Sequence, residues 1–136
     1  MKKPRSLKQQ IIAGLGRTWM HWSPRNEVKK RCKIENKTGW YRCELCHTER
    51  EKLEIDHITP VVSVVDGFTD WNTYIKSRFV TADKLQGICR DCHKNKTKEE
   101  NKKRRELKKW MSTNKPYCQH DDSSWCTEEC SRGKIL

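Results

Sequence analysis

The chain has 136 residues, with 30 lysines and arginines against 18 aspartates and glutamates, for a formal net charge of +12. That length suits one compact domain with extensions and excludes two ordinary domains each burying its own core. Hydrophobic residues make up 33% even with tyrosine counted, against about 45 to 50% apolar in a typical globular domain. Burial alone is therefore a thin source of stability, and no apolar run approaches the roughly 18 residues that a membrane span needs.

The charge is uneven. Residues 1–42 net +10, residues 43–89 net −3, residues 90–110 net +6 and residues 111–136 net −1. A mildly acidic centre between two basic segments suits a phosphate-handling site with arms that grip nucleic acid, because lysine and arginine contacts to phosphates give affinity without sequence reading. Taken singly, each basic run also fits a solvated helix face.

In chain order, Leu7, Ile11, Leu15 and Trp19 recur every four residues, which predicts an amphipathic helix over residues 5–20, weakened by Gly14 and Gly16. Ser23 as N-cap with Pro24 at the first helical position starts a second helix reaching about Ile34. From Trp40 the run WYRCELCH brings an aromatic pair into a Cys-x2-Cys turn, and KLEIDHI alternates like a strand, so a short hairpin arm carries the first knuckle near its base. The segment VVSVVDGFTDWNTYIKSRFV starts extended and turns at Asp66 and Gly67. It then places Trp71, Ile75 and Phe79 four apart as a short inserted helix packed into the core. A second Cys-x2-Cys opens one long basic helix over residues 90–110, followed by a tail over 111–136 with three more cysteines.

The start, MKKPRSLKQQ, is polar and basic rather than signal-like, which predicts a cytoplasmic protein in a reducing compartment, where paired cysteines more often hold metal than form disulfides. Cys43, Cys46, Cys89 and Cys92 form two Cys-x2-Cys pairs. Each pair presents two thiolates on one turn, and the two turns complete a closed tetrahedral shell for a structural zinc. Sharing one zinc would draw the start of the helix bearing His93 back toward the strand ending at Asp56. Those two residues can then hold one divalent cation, with His57 placed to accept a proton. In the tail, Cys118, His120, Cys126 and Cys130 form a candidate second zinc set of irregular spacing, with free thiols as the alternative. Cys32 is expected to be a small buried residue.

Together YRCELCH, LEIDHITPV and KLQGICRDCHKNKT resemble the HNH endonuclease family, in the four-cysteine zinc-containing branch common in bacteriophages and prophages. The resemblance covers about Trp40 to Lys98. It implies an α+β protein with a small ββα-metal, treble-clef-like core over residues 40–98, flanked by a basic helical extension over 1–39 and a basic helix and Cys-rich tail over 99–136. By the same resemblance Asp56 and His93 match the ligands of a catalytic Mg2+, Mn2+ or other divalent ion, and His57 matches the general base. The implied activity is hydrolysis of DNA phosphodiester bonds, a nick or a cut leaving a 5′ phosphate. The asparagine that usually precedes the LQ pair is replaced by Lys84, whose backbone carbonyl, unlike its charged side chain, can accept from an imidazole N–H.

Arg17, Lys29, Lys30 and Arg31 in the first arm, and Lys94, Lys96, Lys102, Lys103, Arg104 and Arg105 in the second, are the expected phosphate contacts. Trp19, Trp22 and Trp40 are expected to pack rather than stack on bases. Two other readings stand beside the nuclease: a zinc-framed nucleic-acid-binding module that no longer cuts, and an accessory protein of a phage terminase. No membrane partner is expected.

Overall fold

A computed structural model describes residues 3–114. Within them lie four helices and two small antiparallel sheets: α1 (Leu7–Met20), α2 (Pro24–Cys32), β1 (Tyr41–Arg42), β2 (Glu49–Arg50), β3 (Glu54–His57), α3 (Trp71–Arg78), β4 (Leu85–Ile88) and α4 (Arg90–Thr113). A single 3-10 turn, Ala82–Lys84, leads into β4.

Helix α1 starts at a capping box. Ser6 accepts from the Gln9 N–H at 3.3 Å, and Gln9 returns a bond to the Ser6 N–H at 2.9 Å. Its apolar stripe is buried only at the far end: Leu7 is 72% exposed and Ile11 39%, whereas Trp19 lies in the core. A chain with so thin a core covers one turn of this helix, not four. Helix α2 begins at Pro24, but Ser23 has helical dihedrals and makes no side-chain cap. The first N–H groups of α2 find the carbonyls of Trp22 and Ser23 instead, so the expected cap is not needed.

Strands β1 and β2 pair around the first knuckle, with Tyr41 opposite Arg50. Strands β3 and β4 pair with Glu54 opposite Ile88 and His57 opposite Leu85. The alternation of β3 divides its side chains: Ile55 and His57 are buried, Glu54 and Asp56 half-buried. Ile55, Leu85, Val28, Cys32 and Trp19 make the larger core, with Trp22, Leu53 and Phe79 packed on it. In α3, capped by Asp70 accepting from the Thr73 N–H at 2.9 Å, the buried residue is Tyr74. Of the expected Trp71–Ile75–Phe79 face, Trp71 and Phe79 are half-buried and packed, whereas Ile75 is 41% exposed.

Helix α2 lies directly on β4. A Cβ on Gly87 would stand 2.5 Å from the Leu53 side chain and 2.6 Å from the Cys32 sulfur, which leaves room for glycine alone. Cys32 is buried as expected, and burial is the first cause that pushes its thiol up to about 11. Beside it, Arg31 forks onto Glu44 with bonds of 2.8 and 3.1 Å and also donates to the carbonyls of Ala82 and Leu85. Glu44 in turn accepts from the Gly87 N–H at 2.5 Å. Burial alone would raise the Glu44 carboxyl, but the Arg31 and Gly87 bonds outweigh it and hold the group below its ordinary value.

This fork ties α2, the first knuckle and β4 together. Glu44→Ala is expected to cost about 2 to 3 kcal/mol in urea unfolding at neutral pH. Because the folded-state pKa is depressed, the carboxylate's contribution is full above about pH 4.5 and is lost as the pH falls through the folded value. The Glu44→Ala difference should therefore shrink in acid.

Candidate metal centre and adjoining acid–imidazole site

The first knuckle is a tight turn inside the β1–β2 hairpin. The Cys43 N–H donates to Thr48 and the His47 N–H to Cys43, while His47 takes a positive φ of 59° to turn the chain back. The second knuckle joins β4 to α4, with Cys89 as helix N-cap. The sulfurs of Cys43, Cys46, Cys89 and Cys92 all lie within 4.8 Å of one another. Among the described residues they are the one group of three or more potential ligand side chains that converges so closely.

The donor set fits zinc. Tetrahedral Zn–S bonds of about 2.3 Å require S···S edges of about 3.8 Å, and Cys46 and Cys89 are 3.8 Å apart. The Cys43 sulfur accepts from the backbone N–H groups of Cys89 (3.3 Å) and Cys46 (3.5 Å), the outer-shell support that orients a thiolate ligand. Thiols this close cannot all ionise unaided. Bonds from Thr48 pull the Cys46 thiol down to about 6, while its sulfur neighbours, Cys46 first, push Cys92 up to about 12. A dication removes that conflict by holding all four as thiolates.

One helical turn beyond Cys89, His93 faces the outer side of β3. Its Nδ1 is 2.5 Å from Glu54 Oε2, and its Nε2 is 3.8 Å from Asp56 Oδ1. With the Nδ1 proton donated to Glu54, Nε2 keeps a lone pair at 3.8 Å from the Asp56 oxygen. Two such donors can share one cation, since two bonds of about 2.0 to 2.2 Å span up to about 4 Å. The other Asp56 oxygen is engaged, accepting from Lys96 Nζ at 2.6 Å and Gln86 Nε2 at 3.3 Å. Lys96 also donates to the His57 carbonyl and pairs with Glu100. Burial works against its charge, but the Asp56 and Glu100 contacts prevail and raise its pKa.

His57 points to the opposite side of β3. It is 8% exposed, and its ring is stacked on Trp19 at 4.9 Å between centroids. Its Nε2 lies 2.8 Å from the Arg78 carbonyl, which can only accept, so Nε2 carries the proton and Nδ1 the lone pair. Among the described residues Nδ1 has no hydrogen-bond partner. It is Arg78, not Lys84, whose carbonyl takes the imidazole N–H; the Lys84 carbonyl accepts from the Ile58 N–H at 3.1 Å. Burial is the first cause of a His57 pKa below the ordinary 6.5. The bond to Arg78 and the neighbouring Asp56 oppose the shift without reversing it.

Of the three residues expected in one pocket, Asp56 and His93 meet, while His57 lines a separate cavity of about 460 Å³ with Lys76, Asp83 and Lys84 on the other side of β3. His93 stands at one end of a groove along α4, about 770 Å³, lined by Lys94, Lys98, Arg104 and Arg105. Arg31 and Lys96, both expected phosphate contacts, have their donors on protein acceptors. Arg104 likewise donates to the Val62 carbonyl and to Asn101. Arg17, Lys29, Lys30, Lys94, Lys103 and Arg105 are exposed, as is Lys102, which stands 3.9 Å from Glu106. Glu54 was not among the expected site residues, and Lys96 was expected on phosphate rather than on Asp56; spacing held a signal for both, since Glu54 shares a strand face with Asp56 and Lys96 lies one turn past His93. Cys118, His120, Cys126 and Cys130 lie outside the described residues. No described helix is long and apolar enough to cross a membrane. Compared with known proteins, the chain matches no family model, no curated protein and no solved structure.

The thiolate centre makes a direct expectation. Cys89→Ser should lower the zinc content by one equivalent per chain, and chelation of the wild type should abolish its cooperative unfolding, because structural zinc contributes on the order of 10 kcal/mol. Zinc analysis with circular dichroism reads both.

Proposed function

We propose that this protein is a metal-dependent nuclease of the HNH type, nicking or cutting DNA with low to modest sequence preference. The observation that best supports the reading is the meeting of Asp56 and His93, 3.8 Å apart, across a strand–strand–helix unit at the head of a cation-lined groove. Asp56 and His93 would hold a divalent ion such as Mg2+ or Mn2+, which when bound offsets charge developing on the phosphate oxygens.

The remaining work belongs to the chain. Glu54 fixes the His93 tautomer so that Nε2 stays a donor to metal. Lys96 neutralises the Asp56 oxygen that turns away from His93. The Arg78 carbonyl holds His57 with its proton on Nε2, so Nδ1 is the atom that would take a proton from water, from the face of β3 opposite the Asp56–His93 pair. Burial keeps that imidazole neutral into mildly acidic solution. Lys94, Lys98 and Arg105 would position the strand through its phosphates. A phage or prophage origin, with a packaging terminase as partner, belongs to the same reading.

A binding module without catalysis is the second reading. What favours it is the Lys96 ammonium already on Asp56, together with Lys84 where a nuclease of this kind carries asparagine. A supercoiled-plasmid assay with Mg2+ or Mn2+ separates the two. The nuclease reading expects open circles from the wild type and at least a hundredfold loss in His57→Ala at unchanged zinc content. Its acid limb should lie below the ordinary histidine value of 6.5, since the rate falls only as the pH drops through the depressed pKa. Plasmid that is bound but never nicked would favour the module.

A further inference from the structure

The inserted segment between β3 and β4 encloses a second cavity, about 370 Å³, whose walls include Phe68, Tyr74, Val61, Val64 and Thr73. It adjoins the His57 cavity, with Thr59, Pro60 and Ser77 lining both. The first chamber carries Lys76 and Lys84 beside Asp83, and neither lysine forms an ion pair among the described residues. The second carries the Phe68 and Tyr74 rings, with Asp66 and Asp70 also on its wall. Its Phe68 ring is held by Trp71 edge-on at 5.0 Å and by the Lys8 ammonium from α1, 3.6 Å from the ring centroid.

We infer that the two chambers together take one unpaired nucleotide, with its phosphate beside Lys76 and Lys84 and its base in the Phe68–Tyr74 chamber. Two lysines in one chamber and two aromatic rings in the next match the two halves of a nucleotide, and the chain's charge of +12 favours an anionic ligand. A base stacked in its duplex cannot enter a cavity walled by a strand end and a helix, so the site selects single-stranded or locally unpaired DNA. The choice of a nucleic-acid ligand rests on the nuclease reading. The selection for unpaired bases goes beyond it and gives the inserted segment a role that neither the zinc frame nor the acid–imidazole pair requires.

The test is fluorescence anisotropy of the zinc-loaded full chain with a labelled oligonucleotide, offered single-stranded or as its duplex, with no Mg2+ or Mn2+ added. The single strand should bind about tenfold or more tightly than the duplex. Phe68→Leu should weaken single-strand binding about fivefold or more while leaving the duplex unchanged. Val64→Trp, which fills the chamber from a half-buried loop position, should do the same and guards against a variant that merely unfolds; zinc content checks the fold of both. Equal affinity for the two forms, or variants that lower both alike or neither, would overturn the inference. Because no Mg2+ or Mn2+ is present, the outcome is independent of cleavage. A single-strand preference without any nicking would sink the nuclease reading alone, and nicking without that preference would sink the base chamber alone.

Discussion

Four thiol groups converging on one point are the constraint on which the other features depend. The larger core is built from few buried side chains, Leu85, Val28, Ile55, Cys32 and Trp19, too thin to fix where a 24-residue helix such as α4 should point. The thiolate centre fixes it. Cys43 and Cys46 sit in the β1–β2 turn, Cys89 and Cys92 on the first turn of α4, and Ile88 packs with Cys43 and Cys89 in a small core of their own. Cys89 makes no side-chain cap of the usual kind, since its sulfur faces the other three. Once that turn is held, helical geometry carries His93 and then Lys96 past the outer face of β3.

The strand itself divides the chemistry. Alternation sends Glu54 and Asp56 toward α4 and Ile55 and His57 toward the core, so adjacent residues acquire opposite environments. Asp56 is surrounded by a lysine, a glutamine and a histidine. His57 is pressed against Trp19, whose ring also carries the Arg25 guanidinium at 4.1 Å and that of Arg78 at 5.4 Å. Among the described residues the Trp19 indole N–H and the Nε atoms of both arginines are buried without a partner, and burial together with the charge of Arg78 lowers the Arg25 pKa. Uncompensated donors are costly. Their concentration around one imidazole marks the place where the fold departs furthest from simple stability.

Much of this was legible because it depends on spacing. The two Cys-x2-Cys pairs picked out the four cysteines that converge in position to bind a metal ion, Pro24 placed the start of α2, and alternation in KLEIDHI placed β3. What the sequence concealed depends on tertiary contact. The four-residue stripe of α1 reads as a fully packed helix, yet Leu7 and Ile11 remain exposed because little core exists to receive them. In α3 the same kind of stripe named Ile75, but the helix turns Tyr74 inward. Arg31 reads as one more arm cation until its fork onto Glu44 is seen. The imidazole N–H of His57 is held by the Arg78 carbonyl, 21 residues away in the chain, a pairing that no local pattern encodes.

The central claim is that the zinc frame brings Asp56 and His93 together as a seat for a second, exchangeable cation. Electron paramagnetic resonance of the zinc-loaded protein titrated with Mn2+ tests it most directly. The account predicts one saturable Mn2+ per chain, lost in Asp56→Asn while the zinc content is unchanged. Absence of saturable binding, or binding that survives that substitution, would contradict it.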